Sequence, residues 1–416
     1  MLEYAELGAR FPARRTRFGP QAWLDLKSGV SMKRLKKLRN SLCMLLSLAI
    51  VGVARAEGAA PPPGLAARLQ ATLGGQAGKG GVVGEALAVI GPGGRWTWTG
   101  AAGETRPGGP AMDPRYAFRI ASVTKSFVAA AVLRLMEDGK IDIDGPIAPL
   151  ISPLTATLLV KGGYDPNVIT VRQLLNHTSG LYDHAADDRY AKAVLADIHH
   201  HWTRAEQIEL AIRYGKPVGE PGARYSYSDT GYVVLGEIVE RLTGAPLGRS
   251  VRNLVDFERL SLKNTWWEGE EAAPPGSAGV ADVFFGAADV QEIDPSFDSY
   301  GGGGLVSTVG DLAVFYRALL LGEVFKDRRT LVIMMSVTPA ERPADRVDTN
   351  AVHAIMVGRH ECWGHTGAWG GVGAYCPTLD IAFAWTQNQA ENAHAGILAA
   401  AARLADALEP QRPPPH

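Results

Sequence analysis

Ser122-Val123-Thr124-Lys125 begins a helical pattern in the interior of a 416-residue chain, and its meaning decides what the rest can be. Downstream, Val128, Val132, Leu135 and Met136 recur at helical spacing until Gly139 ends the run. Positions three apart share one face of a helix, so the Ser122 hydroxyl and the Lys125 amine come within hydrogen-bond reach. A serine hydroxyl is a poor nucleophile until a neighbouring base takes its proton, and a buried lysine can be that base. The same four letters also describe an N-cap serine followed by a surface lysine. The surrounding chain has to separate the two.

Upstream, Leu65, Leu69 and Leu73 lie four apart on one helix face, and residues 82–90 are rich in β-branched and small apolar side chains. That run turns through Gly91-Pro92-Gly93-Gly94 and resumes over 95–99 with Trp96 and Trp98 alternating, the pattern of a β-hairpin. The carboxy-terminal end mirrors it: 351–357, 368–376 and 381–386 read as strands, and an alanine-rich helix follows over 393–408. Between the ends the character is mostly helical, with capping boxes predicted at Thr170/Gln173 and Thr308/Asp311. This is an α+β pattern: strands from both chain ends share one antiparallel sheet flanked by helices, with an all-helical region inserted between them. A cleft forms where the two regions meet, and such clefts hold ligands. The expected division is one domain over 65–408, a linker over 57–64 and a polar tail over 409–416.

The composition, 46% hydrophobic and 20% charged, is that of an ordinary globular protein, and its 48 glycines and 26 prolines are scattered rather than clustered. Lys33, Arg34, Lys36, Lys37 and Arg39 precede an apolar run over 42–53 and then Ala54-Arg55-Ala56, the layout of a cleavable signal peptide over 32–56. The run falls well short of the ~20 residues of a spanning helix. Cys43 lacks the small residues of a lipidation site, so no stable membrane anchor is expected. Met32, directly before the basic cluster, marks 1–31 as a misassigned extension, and export to the periplasm or medium follows.

Without residues 1–56 the chain loses eleven basic and three acidic side chains. The remainder is acidic and has no basic stripe for nucleic acid. Cys362 and Cys376 then form a disulfide candidate in an oxidising compartment. They are symmetric about Trp369, so a hairpin turning at Trp369-Gly370 sets them opposite each other on adjacent strands. No cysteine or histidine spacing suggests a metal site. His199-His200-His201 point in different directions and read as a helix end or loop.

Two further segments bear on Ser122. Tyr227-Ser228-Asp229 stands ahead of an apolar helical run with Tyr232, Leu235, Ile238 and Val239. His365-Thr366-Gly367 lies in Trp363-Gly364-His365-Thr366-Gly367-Ala368-Trp369-Gly370-Gly371, on a predicted strand. Ser-x-x-Lys, a tyrosine-containing middle motif and a Lys/His-Thr-Gly strand, in this order, resemble the signature of the penicillin-recognising serine hydrolases. Phe118-Arg119-Ile120-Ala121, Leu174-Leu175-Asn176-His177-Thr178-Ser179-Gly180-Leu181 and Gly303-Gly304-Leu305-Val306-Ser307-Thr308 are similar to one branch: class C β-lactamases, DD-peptidases and their esterase relatives. The resemblance spans about 65–408 and implies the β-lactamase/transpeptidase-like fold, in agreement with the sheet and helical insert above.

It also implies an acyl-enzyme mechanism with no metal or organic cofactor. Ser122 is then the nucleophile, Lys125 accepts or relays its proton, and Tyr227, hydrogen-bonded to both, protonates the leaving group and activates water. The backbone N–H groups of Ser122 and Ala368 form the oxyanion hole. Asp229, His365, Thr366 and Gly367 meet the substrate, whose far end is often a carboxylate in this family. His177 reads as structural, and residues 301–304 as a flexible turn lining the cleft. Asp229 stands where asparagine is usual and His365 where lysine is usual. Both departures turn the expectation toward hydrolysis of a D-aminoacyl peptide, amide or ester, in the manner of a DD-carboxypeptidase or esterase. The partner is a small-molecule or peptide substrate, with a cell-wall peptide as one candidate. A class C-like β-lactamase and a catalytically slow protein that binds cell-wall peptides are the alternatives.

Overall fold

The computed structural model describes residues 59–74, 81–337, 349–391 and 393–409; residues 32–56, where a signal peptide is expected, and residues 410–416 lie outside them. Helix α1 (Leu65–Thr72) leads into a hairpin of β1 (Gly84–Ile90) and β2 (Thr97–Gly103), which turns through Pro92–Gly94. Strand β3 (Phe118–Arg119) then delivers the chain to Ser122 and to α2 (Thr124–Glu137). The sequence shows a single apolar stripe on α2, yet the helix is buried on almost every side. Ala129, Ala130 and Ala131 let neighbours close over the face that the periodicity leaves open.

The insertion is largely helical: α3 (Pro153–Lys161), α4 (Val171–Leu175), α5 (Asp188–Ala196), α6 (Arg204–Tyr214), α7 (Asp229–Thr243), α8 (Leu247–Val255) and α9 (Phe257–Leu260). Thr170 and Gln173 close a capping box at α4. Strands β4 (Trp266–Trp267) and β7 (Leu305–Ser307) join β3 in a small sheet of order β3-β7-β4, while β5 (Phe284–Phe285) pairs with β6 (Ala288–Asp289). Helices α10 (Val309–Leu320) and α11 (Arg329–Met334) follow. Thr308 caps α10 as predicted, but Asp311 does not complete a box. Its carboxylate accepts from Asn264 N at 2.7 Å and Thr265 Oγ1 at 2.9 Å, because a side chain shorter than glutamate is better placed to reach outward than back to the cap.

Strands β8 (His353–Val357), β9 (His360–Thr366), β10 (Gly371–Cys376) and β11 (Ile381–Gln387) precede the closing helix α12 (Ala393–Leu408). The main sheet runs β2-β1-β11-β10-β9-β8, antiparallel throughout, so the two chain ends meet where β1 pairs with β11. Ala86, Ala88 and Ile90 of β1 face a core that contains α2 and α10, whereas Leu87 and Val89 face one built from α1 and α12. Helices on both faces explain why β1, β10 and β11 are buried along their whole lengths.

Strand β10 begins at Gly371 and not at 368, because Gly367 N–H donates to Gly371 O at 2.7 Å and the turn occupies the intervening residues. The register sets Tyr375 against Trp363, and one step further Cys362 and Cys376 are joined by a disulfide with their Cα atoms 4.0 Å apart. A cross-link closing a loop of this length contributes about 3 kcal/mol. Replacing both cysteines by alanine should therefore lower stability by about 2–4 kcal/mol, read as a shift in denaturant midpoint. Protein lacking residues 1–56, denatured without reductant, should take up no iodoacetamide; two labelled thiols would contradict the bond.

Candidate active site

Ser122 sits in a single tight turn, Ala121–Val123, wedged between β3 and α2. Ala121 adopts φ 45°, a left-handed conformation uncommon for a residue with a Cβ and of the kind that accumulates at functional sites. The turn is held by Ile120 N–H donating to Leu305 O at 3.0 Å and by Val123 N–H donating to Ile120 O at 3.1 Å. The end of β9 lies against it. A Cβ on Gly367 would come within 2.4 Å of Ile120 O, so only glycine lets the His365-Thr366-Gly367 segment approach the nucleophile this closely. Ser122 and Thr366 are half-buried and Ala368 is exposed, so the junction of turn and strand opens to solvent.

Lys125 is the centre of the arrangement. Its side chain is fully buried one helical turn after Ser122. Its Nζ donates to Ser122 Oγ at 2.9 Å, to Gly302 O at 2.7 Å and to Asp229 Oδ1. Three acceptors match the three N–H donors of an ammonium, and one acceptor is a carboxylate. The resting lysine is thus built as a cation in an ion pair and not as a free base. Residues 301–304 correspondingly form no loose turn. A Cβ on Gly302 would fall 2.5 Å from Asp229 Oδ1, and one on Gly303 2.0 Å from Asp298 Oδ2. The glycines pack tightly so that a carbonyl and two carboxylates can crowd around one ammonium.

Asp229 is the first residue of α7, whose start is capped by the Ser228 hydroxyl accepting from Gly231 N–H at 3.3 Å. Asp229 N–H donates to Asp183 Oδ1 at 3.1 Å. Lost hydration, reinforced by the Asp229 charge and opposed by Lys125, pushes the Asp183 carboxyl up to about 8. The same causes push Asp298 up to about 7. Asp183, Asp298 and the Gly302 carbonyl belong to no motif and were not anticipated from sequence. Asp183 lies 46 residues from Asp229 and Gly302 lies 177 from Lys125, while Asp298 comes in against Gly303 of the glycine run, so contacts across the chain and not a local pattern assemble the group.

Tyr227 is half-buried beside this cluster, with Lys125 Nζ 5.0 Å from its ring centroid. Its ring stacks on His177 at 4.3 Å. His365, expected to meet the substrate, lies deep at the end of β9. Its ring is only 4% exposed, its Nδ1 bonds Thr366 O at 2.7 Å, and it packs edge-on against His353 at 4.8 Å. Burial first, then the charges of His353 and Lys125, hold it well below the ordinary histidine range, so the ring is neutral. Arg119, the other buried cation nearby, is committed to Glu268 at 2.7 and 3.1 Å. His200 and His201, from the triple histidine, pair with Glu206 and Asp294.

A serine hydrogen-bonded to a lysine one turn on, against the end of strand β9 and beside a tyrosine, on an antiparallel sheet with a helical insertion, defines a serine hydrolase of the β-lactamase/transpeptidase-like class. The model of the Beta-lactamase family matches residues 66–407, and the chain belongs to that family. It is similar to a D-stereospecific amidohydrolase from Streptomyces sp., at 29% identity and TM-score 0.65 over 78% of this chain and 93% of the other. It is also similar to the D-amino acid amidase of Ochrobactrum anthropi SV3 complexed with L-phenylalanine amide, at 26% identity and TM-score 0.69 over 83% and 99%. A protein of Escherichia coli O157:H7, provisionally named a D-alanyl-D-alanine carboxypeptidase, is 26% identical over 306 residues, 65% of this chain and 69% of its own length. Among the described residues no helix is long and apolar enough to cross a membrane.

The raised carboxyl of Asp298 has a consequence for stability. An unfolded aspartate titrates near 3.9, below the folded group, so the folded state keeps a proton that the unfolded state has lost. That contribution is complete below about pH 4 and is lost as pH rises through about 7. Asp298→Asn removes the titration, and its denaturant midpoint should fall less than that of the wild type between pH 5 and 8. Parallel declines would mean that Asp298 is ionised throughout this range.

Proposed function

We propose that the protein hydrolyses D-aminoacyl amides and esters with an unblocked amine, through an acyl-enzyme on Ser122. The observation that carries this reading is the charge balance of the cleft. Lys125 is neutralised by Asp229, Arg119 by Glu268, and His365 carries no charge. No uncommitted cation among these groups favours the carboxylate of a D-alanyl-D-alanine peptide or a penicillin, and the carboxyl oxygens of Asp183, Asp229 and Asp298, held near overall neutrality by Lys125 and by raised carboxyls, suit a neutral amide or ester with an amine that donates hydrogen bonds. The likeness to a D-amino acid amidase and a D-stereospecific amidohydrolase supports the same choice.

In the proposed reaction the Lys125 ammonium first hands a proton to Asp229, turning an ion pair into a neutral pair. The cost of that transfer falls when a bound substrate excludes water. Lys125 then takes the Ser122 hydroxyl proton as Oγ attacks the carbonyl carbon. Tyr227 protonates the departing amine or alcohol and is reprotonated from Lys125, so one proton leaves serine and one reaches the leaving group. The N–H groups of Ser122 and Ala368 receive the oxyanion. In deacylation neutral Lys125 takes the Tyr227 phenol proton, and the phenolate takes one from the attacking water. Lys125 returns its proton to the departing Ser122 Oγ, and Asp229 then gives its proton back to Lys125.

D-Alaninamide, N-acetyl-D-alaninamide, D-alanyl-D-alanine, a fluorescent penicillin and a nitrophenyl ester test the assignment. Free-amine amide and ester should be turned over fastest, and acetylation should cost at least 10-fold in kcat/KM. Turnover of D-alanyl-D-alanine or penicillin alone would refute the charge argument, and an adduct without turnover would point to a binding protein. Ser122→Ala should abolish acylation, and Lys125→Ala should slow it by orders of magnitude. Asp229→Asn should increase penicillin labelling, because the carboxylate that opposes the penicillin's own charge is replaced by an amide that can donate. Unchanged labelling would take Asp229 out of substrate selection.

A further inference from the structure

Tyr227 reaches the cleft from an irregular segment that joins α6 to α7, and a group on such a segment transfers protons only if something fixes it. His177, the residue read from sequence as merely structural, grips this segment at three points. Its backbone O accepts from Ser226 N–H at 2.8 Å, and its Nδ1 accepts from Ser228 N–H at 3.2 Å. Between these two anchors its ring lies against the Tyr227 ring, with centroids 4.3 Å apart and planes 30° from parallel. One buried residue therefore holds the residue before the tyrosine through its backbone, and the residue after it and the ring itself through its side chain.

His177 is in turn rigid. It follows α4 directly, adopts φ 59°, and is only 3% exposed. The neighbouring Thr178 N–H donates to Gln173 O at 2.9 Å, and Thr178 O accepts from Gly222 N–H at 2.7 Å. The far side of the His177 ring meets Tyr232 at 5.2 Å, and Tyr232 OH donates back to Leu175 O at 2.9 Å. A peptide N–H can only donate, so Nδ1 must be unprotonated to receive it, and the grip on Ser228 exists only for a neutral ring.

We propose that His177 is the positioning residue that keeps Tyr227 in line with Ser122 and Lys125 for proton transfer. This rests on the reading of Tyr227 as the proton-transfer group. A displacement of about 1 Å at a reacting group costs about 100-fold in rate, so the effect belongs in kcat and not in substrate affinity.

A double-mutant cycle on the nitrophenyl ester separates this from a general structural role. Asparagine tolerates the left-handed backbone and retains an acceptor but has no ring face. His177→Asn should lower kcat about 10- to 100-fold, leave KM within about twofold and keep a cooperative melt. In a Tyr227→Phe background the same substitution should change kcat by less than twofold. His177→Gln supplies the same test should the asparagine variant fold poorly. An unchanged kcat in the folded single variant, or a full additional loss in the Tyr227→Phe background, overturns the inference. An inert Tyr227→Phe overturns the reading of Tyr227 and this inference with it.

Discussion

The buried ammonium of Lys125 is the constraint around which the site is organised. An isolated charge in such a place would be costly, and it is tolerated only because three acceptors from distant parts of the chain converge on it. Each acceptor brings its own element: the Ser122 turn from the edge of the small sheet, Asp229 from the start of α7, and the Gly302 carbonyl from the glycine run before β7. The ion pair therefore pins the helical insertion to the sheet region at the floor of the cleft. The raised carboxyls of Asp183 and Asp298 follow from the same packing, first because it strips them of water and then because the Asp229 charge lies beside them.

The architecture was legible because it is written in local patterns. Hydrophobic alternation marks the first hairpin, Leu65, Leu69 and Leu73 mark α1, and the alanine-rich run marks α12 with the bounds 393–408. The mirror symmetry of Cys362 and Cys376 about Trp369 followed from the strict period of two in antiparallel strands. The Ser122/Lys125 pair is likewise local, set by helix geometry. What escaped is what depends on contacts across the chain. The glycine run reads as loose because glycine has no side chain, but here that absence permits close packing against Asp229 and Asp298. His365 is marked by its motif, but its burial and neutrality depend on the depth of β9 and the nearness of His353 and Lys125, which no local pattern records.

Asp229 illustrates how one substitution within a family pattern acts at a distance from its own backbone. An asparagine offers both a donor and an acceptor; an aspartate only accepts and brings a charge. That charge pairs with Lys125, raises the carboxyls of two neighbours and shifts the electrostatic preference of the cleft. The fold absorbs it because the backbone of α7 is held independently by Ser228 and Asp183.

The sheet order carries an implication for how the chain comes to be folded at all. Glu85 of β1 sits opposite Gln387 of β11, and its buried carboxylate accepts from Trp385 Nε1, 300 residues further along, and from Arg403 in the last helix. Contacts of such separation form late, because the loop-closure entropy is lost before the pairing compensates for it. Until nearly the whole chain has been made, the inner edge of the first hairpin is unpaired and its acid has only the nearby Gly74 N–H as a partner. Synthesis must be almost complete before the central sheet can close, and the growing chain stays open for most of that time.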